Sequence, residues 1–113
     1  MDFILAKLGE GATSTVYMGS TTFATYAEGK TAKEAFEQAR EDAFYYNGHA
    51  GYTGTIAEKT TFVMIPVPAN TDPLEYASKL IDDDDSRISN KWGDAGCIDL
   101  KNDRFYFFGW ASC

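Results

Sequence analysis

The chain has 113 residues, of which 44% are hydrophobic and 15% aromatic, and its 17 acidic and 10 basic side chains give a formal charge of −7. That length suits a single domain, residues 1–113, with a core large enough to fold without staples, and the aromatic content excludes a disordered or low-complexity protein. The charge disfavours direct contact with nucleic-acid phosphate and would instead draw in basic partners.

Residues 3–6 open a strand, residues 9–11 form a glycine turn, and residues 13–26, rich in Thr, Val, Tyr and Phe, predict two strands divided at Met18-Gly19-Ser20. Thr31 and Glu34 have capping-box spacing, and Ala32, Ala35, Phe36, Ala39, Ala43 and Tyr46 recur at helical intervals. A helix over residues 32–46 follows. Its other stripe carries Glu34, Glu37, Gln38 and Glu41, flanked by Lys33 and Arg40, and Asn47-Gly48 supplies a left-handed stop.

Residues 55–59 and 62–67 read as two short strands or one bent strand, ended by Pro66 and Pro68. Thr71 or Asp72 then caps a second helix with Pro73 in its first turn and Leu74, Ala77, Leu80 and Ile81 on its buried face. That helix runs into Asp82, Asp83, Asp84 and Asp85, four negative charges at the negative end of the helix dipole, where it should stop. After a polar loop containing Trp92, residues 97–100 and 104–110 make two strands joined at Lys101-Asn102-Asp103.

This order predicts an α+β fold, an antiparallel β-sheet with two α-helices packed on one face as a two-layer sandwich. Residues 105–110 are apolar on both alternating faces, which marks a central strand whose second face needs a cover, a partner being one candidate. A homodimer in which this strand pairs or packs across a two-fold axis is a further expectation.

Two glycine corners stand out. Gly48, Gly51 and Gly54 surround His49, the sole histidine, with Tyr45, Tyr46 and Tyr52 nearby. The segment follows a helix and opens a strand, the reverse of a phosphate-binding loop, so no helix N-terminus is offered to a phosphate. It reads either as a permissive loop whose rings stack on a ligand or as a helix stop and turn with His49 in solvent. The second corner, residues 91–97, carries Trp92, Gly93, Asp94, Gly96 and Cys97. Were the corners to share a sheet edge, His49, Tyr52, Glu58, Trp92 and Cys97 would line a ligand pocket, and His49 with Cys97, oriented by Glu58 or Asp94, would be the nucleophile pair available. A buried Cys97 acting as a small hydrophobe is the plainer reading.

One histidine and the distant Cys97 and Cys113 do not make a zinc site, and the four aspartates lack the alternation and glycine of a calcium loop. The sequence therefore points to no metal and no cofactor, and its catalytic set is incomplete, so a binding role is expected ahead of an enzymatic one. The longest apolar run, residues 62–69, contains two prolines and is far shorter than a bilayer span. With unpaired thiols expected, the setting is read as cytoplasmic, with no membrane partner.

Residues 34–43, Glu-Ala-Phe-Glu-Gln-Ala-Arg-Glu-Asp-Ala, and residues 48–59, Gly-His-Ala-Gly-Tyr-Thr-Gly-Thr-Ile-Ala-Glu-Lys, resemble a motif of small proteins of phages and some archaea. Residues 91–98 and 107–112 belong to the same pattern, so the resemblance spans about half the chain. It brings no activity, only context: small phage proteins often bind and disable a host machine, including CRISPR effectors. The leading expectation is an acidic interaction protein, a phage-type, anti-CRISPR-like inhibitor of a host defence or nucleic-acid-handling complex. It would mimic nucleic acid by setting Glu34, Glu37, Glu41, Asp82, Asp83, Asp84 and Asp85 against a basic surface of a host protein or nucleoprotein complex. The alternative is a small-ligand or nucleotide-binding protein using the two glycine loops around His49 and Trp92.

Overall fold

The computed structural model describes residues 19–47 and 54–112. In chain order they form β1 (Ser20–Glu28), α1 (Ala32–Asn47), a 3₁₀ turn at Ile56–Glu58, β2 (Phe62–Met64), α2 (Pro73–Asp82), β3 (Ala95–Lys101) and β4 (Arg104–Ser112). The strand expected at residues 3–6, the turn at 9–11, the strand preceding Met18-Gly19-Ser20, the glycine segment with His49 and Tyr52, and Cys113 lie outside the described residues.

Local chemistry sets the helix ends. The Thr31 hydroxyl accepts the Glu34 amide at 3.1 Å, the half of a capping box that their spacing predicts, while the Glu34 carboxylate reaches one residue further back and accepts the Lys30 amide at 3.0 Å rather than that of Thr31. Pro73 sits in the first turn of α2, where its missing N–H costs nothing, with Asp72 at the cap. The helix ends at the aspartate run as expected, and Asp84 already has a left-handed φ of 54°. Residues 55–59 are not a strand. The Thr55 hydroxyl accepts the Ala57 amide at 3.2 Å and turns the chain into the 3₁₀ segment, a local hydrogen bond outcompeting a strand that β-branched residues would favour.

The sheet order is β1-β4-β3-β2, with β4 antiparallel to both neighbours and β2 parallel to β3. The α+β architecture read from the sequence is the one observed, with both helices packed against the sheet. Two details of the expected layout are corrected: the sheet is mixed rather than wholly antiparallel, and the helices take opposite faces, giving three layers. Connectivity explains both. Two antiparallel steps and one parallel step make β1, β2 and β3 run the same way, so α1 and α2 are each parallel crossovers. The first crosses the whole sheet from β1 to β2 and the second returns from β2 to β3. Two crossovers of the same hand travelling in opposite directions must lie on opposite faces.

Side-chain alternation along β4 serves both layers. Phe105, Phe107 and Ala111 pack with Phe36 and Ala39 of α1, whereas Phe108 packs with Ala77 and Leu80 of α2. Phe36 sits 5.0 Å from Phe62 and 5.5 Å from Phe107 between ring centroids. The second face of β4 thus needs no partner, because α2 and Ile88 cover it. Pairing through β4 is also closed, since β1 and β3 occupy its two edges.

Candidate functional site

The segment that follows the first glycine corner meets the start of the second, and a lysine joins them. Lys59, just after the 3₁₀ turn, is only 1% exposed, and its Nζ donates to the carbonyl oxygens of Asn90 at 3.3 Å and Lys91 at 3.0 Å. The Ala95 amide donates to the Thr61 carbonyl at 3.1 Å, and the Thr61 hydroxyl donates to the Asp94 carboxylate. Burial holds the Lys59 pKa below its usual value, an effect opposed by the negative charges of Asp94 and Glu58. Sequence reasoning missed Lys59. Lysine is among the residues least often buried, and nothing in its neighbourhood marks this one as an exception.

The described members of the expected ligand pocket have separate occupations. Glu58 accepts the hydroxyl of the fully buried Ser112 at 2.9 Å and so ties the 3₁₀ turn to the end of β4, a link repeated by the Gly54 amide and Ser112 carbonyl at 2.8 Å. Trp92 is 58% exposed, with the Lys91 ammonium 5.4 Å from its ring centroid. Cys97 is unpaired and fully buried in the layer under α1, and burial, followed by the nearby Asp99 charge, pushes its thiol up to about 12. A thiol so placed stays protonated at neutral pH and cannot attack a substrate, which removes Cys97 from any nucleophile pair. His49 and Tyr52 lie outside the described residues.

The acidic residues expected to meet a partner divide into two groups on opposite sides of the sheet. On α1, Glu34, Glu37, Glu41 and Asp42 are exposed, and their spacing puts them on one helix face. Tyr45 falls on the same stripe and is 83% exposed; Tyr46, beside it, is 79% exposed. The expectation that Tyr46 joins the helix's core stripe is therefore corrected: its ring borders an open groove against β1. The two rings meet edge to face at 5.0 Å. The helical repeat assigns Tyr46 to the core, whereas the reading of a permissive loop that offers Tyr45 and Tyr46 to a ligand agrees with the exposure of both rings.

At the end of α2 the four aspartates are less alike than their sequence suggests. Asp83 pairs with Lys79 at 2.7 Å, and Asp85 receives both the Nε and an Nη of Arg87 at 2.9 and 3.0 Å, as well as the Arg87 amide. These contacts hold the Asp85 carboxyl down to about 2. Asp82 and Asp84 are exposed.

Among the described residues no three His, Cys, Asp or Glu side chains form a group that could hold a metal ion, and no helix is long and apolar enough to cross a membrane. No protein-family model, curated protein or solved structure matches the chain.

Proposed function

We propose that this protein is a non-enzymatic acidic binder that docks on a basic protein surface through the outer face of α1, in the manner of a nucleic-acid strand. The observation that carries this reading is the exposed stripe of Glu34, Glu37, Glu41 and Asp42 with two exposed tyrosines at its end. The helix rises about 12 Å between the first and last of these carboxylates, or roughly one charge per 4 Å. A single DNA strand carries about one phosphate per 3.4 Å of axis, so the linear charge densities are close. Tyr45 and Tyr46 add flat rings on which arginine guanidinium groups stack.

The end of α2 is the weaker candidate for the same role. Two of its four carboxylates already have cations of their own, which leaves Asp82 and Asp84 as the accessible charges there. A groove that normally takes nucleic acid is the partner this stripe fits, in keeping with the inhibition of a host defence or nucleic-acid-handling complex that the phage resemblance implies.

The test is affinity capture from a host lysate at low and high salt, comparing the native chain with a Glu37→Gln, Glu41→Gln, Asp42→Asn variant. The expected result is retention of a basic nucleic-acid-binding protein that is lost at high salt, lost in the variant, and displaced by added oligonucleotide. Retention indifferent to salt, variant and oligonucleotide overturns the reading.

A further inference from the structure

The two edges of the sheet are built differently. β2 is three residues long and runs straight into Pro66 and Pro68, the short, proline-flanked edge by which proteins discourage further pairing. β1, at the other edge, pairs with β4 over nine consecutive residues with no bulge, and no further described strand pairs with it. It contains no proline and no lysine, and in a chain where 24% of residues are charged, residues 20–27 carry no charge at all. Its exposed face presents Thr22, Ala24 and Tyr26, the last 55% exposed despite lying 5.1 Å from the Tyr106 ring.

Among the described residues, nothing fills the space beside this edge. A groove of about 580 Å³ runs along residues 22–25, with Ala39, Asp42, Ala43 and Tyr46 of α1 forming its other wall. We propose that the occupant of this groove is β1 of a second copy, paired antiparallel about a two-fold axis at Ala24 to make one continuous eight-stranded sheet.

The sequence of β1 is self-complementary in that register. Ala24 faces its own copy, Thr22 faces Tyr26, Phe23 faces Thr25, and Ser20 faces Glu28, so residues on one side of the sheet meet residues on the same side. The pairing sets a β-branched side chain against each exposed tyrosine, a favourable cross-strand combination, and opposes no two like charges. Asp42 on the groove's other wall brings one like charge from each copy toward the interface, its carboxylate accepting the Gln38 amide at 3.0 Å, and this repulsion is weakened by physiological salt. The inference goes beyond the binding function proposed above and does not depend on it.

Light scattering on the full chain at physiological salt tests the proposal. The expected mass is twice the 12.5 kDa of one chain, falling to one chain in Ala24→Lys, which opposes two ammonium groups on the axis, and staying at two in Ala24→Thr. A second variant reports the register without relying on disruption. Directly opposed residues in an antiparallel pair have Cα atoms about 4.5–5.5 Å apart, within disulfide range. In a Cys113→Ser background, Ala24→Cys should therefore crosslink to a dimer under mild oxidation, whereas Thr22→Cys should not. A monomer at every concentration, as would result were any other segment to take this edge, overturns the proposal. So does a dimer that neither crosslinks at position 24 nor responds to Ala24→Lys.

Discussion

The Lys59 ammonium and the Lys91 carbonyl oxygen, thirty-two residues apart in sequence, lie 3.0 Å from each other in the interior of the fold. One buried side chain thereby fastens the segment before β2 to the loop before β3. Lys59→Ala should cost about 2–4 kcal/mol, because it opens a cavity and takes the ammonium partner from the Lys91 carbonyl, while the Asn90 carbonyl keeps the Gly93 amide. Lys59→Met, which keeps most of the volume, should cost about 1–3 kcal/mol, and urea unfolding measures both.

The same lysine has a pH signature of defined sign. Burial lowers its folded pKa, so between that lowered value and 10.5 the unfolded chain binds more protons than the folded one. The contribution of Lys59 to stability should rise with pH across that window and be flat below it. Unfolding free energies of the native chain and Lys59→Met, measured from neutral pH to 10.5, should differ by this slope. A constant difference would show that burial does not penalise the charge.

Gly96 is held to a bare α-carbon by its neighbour across the strand. A Cβ there would lie 2.7 Å from Cζ of Phe108 and 3.1 Å from Cγ2 of Ile88, and both side chains are buried, so that one of them would have to shift within the core. Gly96→Ala should destabilise the fold by about 1–3 kcal/mol, read as a lower urea midpoint at an unchanged slope.

Cys97 should be inert in the folded state. With its thiol pushed up to about 12 and no exposed surface, it should resist iodoacetamide at pH 8 and react only when denaturant is added. Mass spectrometry of the peptide containing it distinguishes the two cases, and rapid native labelling would contradict the burial described above.

Asp85 should titrate below the ordinary carboxylate range. Hydrogen bonds from the Arg87 side chain and amide hold it down to about 2, from an ordinary 3.8. Its contribution to stability is therefore complete above 3.8 and lost as pH falls through the folded value. A carbon-detected NMR titration should find its midpoint near 2, and Arg87→Ala should return it to the ordinary range.

On the proposed binding face, Tyr45→Ala should weaken partner affinity by about 1–2 kcal/mol while leaving thermal stability nearly unchanged, because the ring is exposed and supports no core contact. Glu34 separates two roles in one residue. Glu34→Gln keeps an acceptor for the Lys30 amide and should preserve the helix start, yet removes one charge from the stripe.

Much of the fold was legible because its signals are local. The Thr31–Glu34 cap, Pro73 in a first turn, the aspartates that end α2 and the Lys101-Asn102-Asp103 hairpin, whose residues have φ of 71°, 58° and 62°, each depend on only a few consecutive residues. The candidate site was only partly legible. The acidic stripe follows from helical periodicity, but the exposure of Tyr46 and the burial of Lys59 depend on which segments come to lie beside them.

By itself, then, the sequence determined the net charge, both helices, the closing hairpin and the α+β class, because composition, helical periodicity and capping act within a few turns of chain. The tertiary structure alone decided that β2 runs parallel to β3, that the helices part to opposite faces, that Cys97 is sealed in the core, and that the two acidic groups do not share a surface. Those outcomes follow from crossovers of one hand traversing the sheet in opposite directions, a relation among segments far apart in sequence that no short window of residues contains.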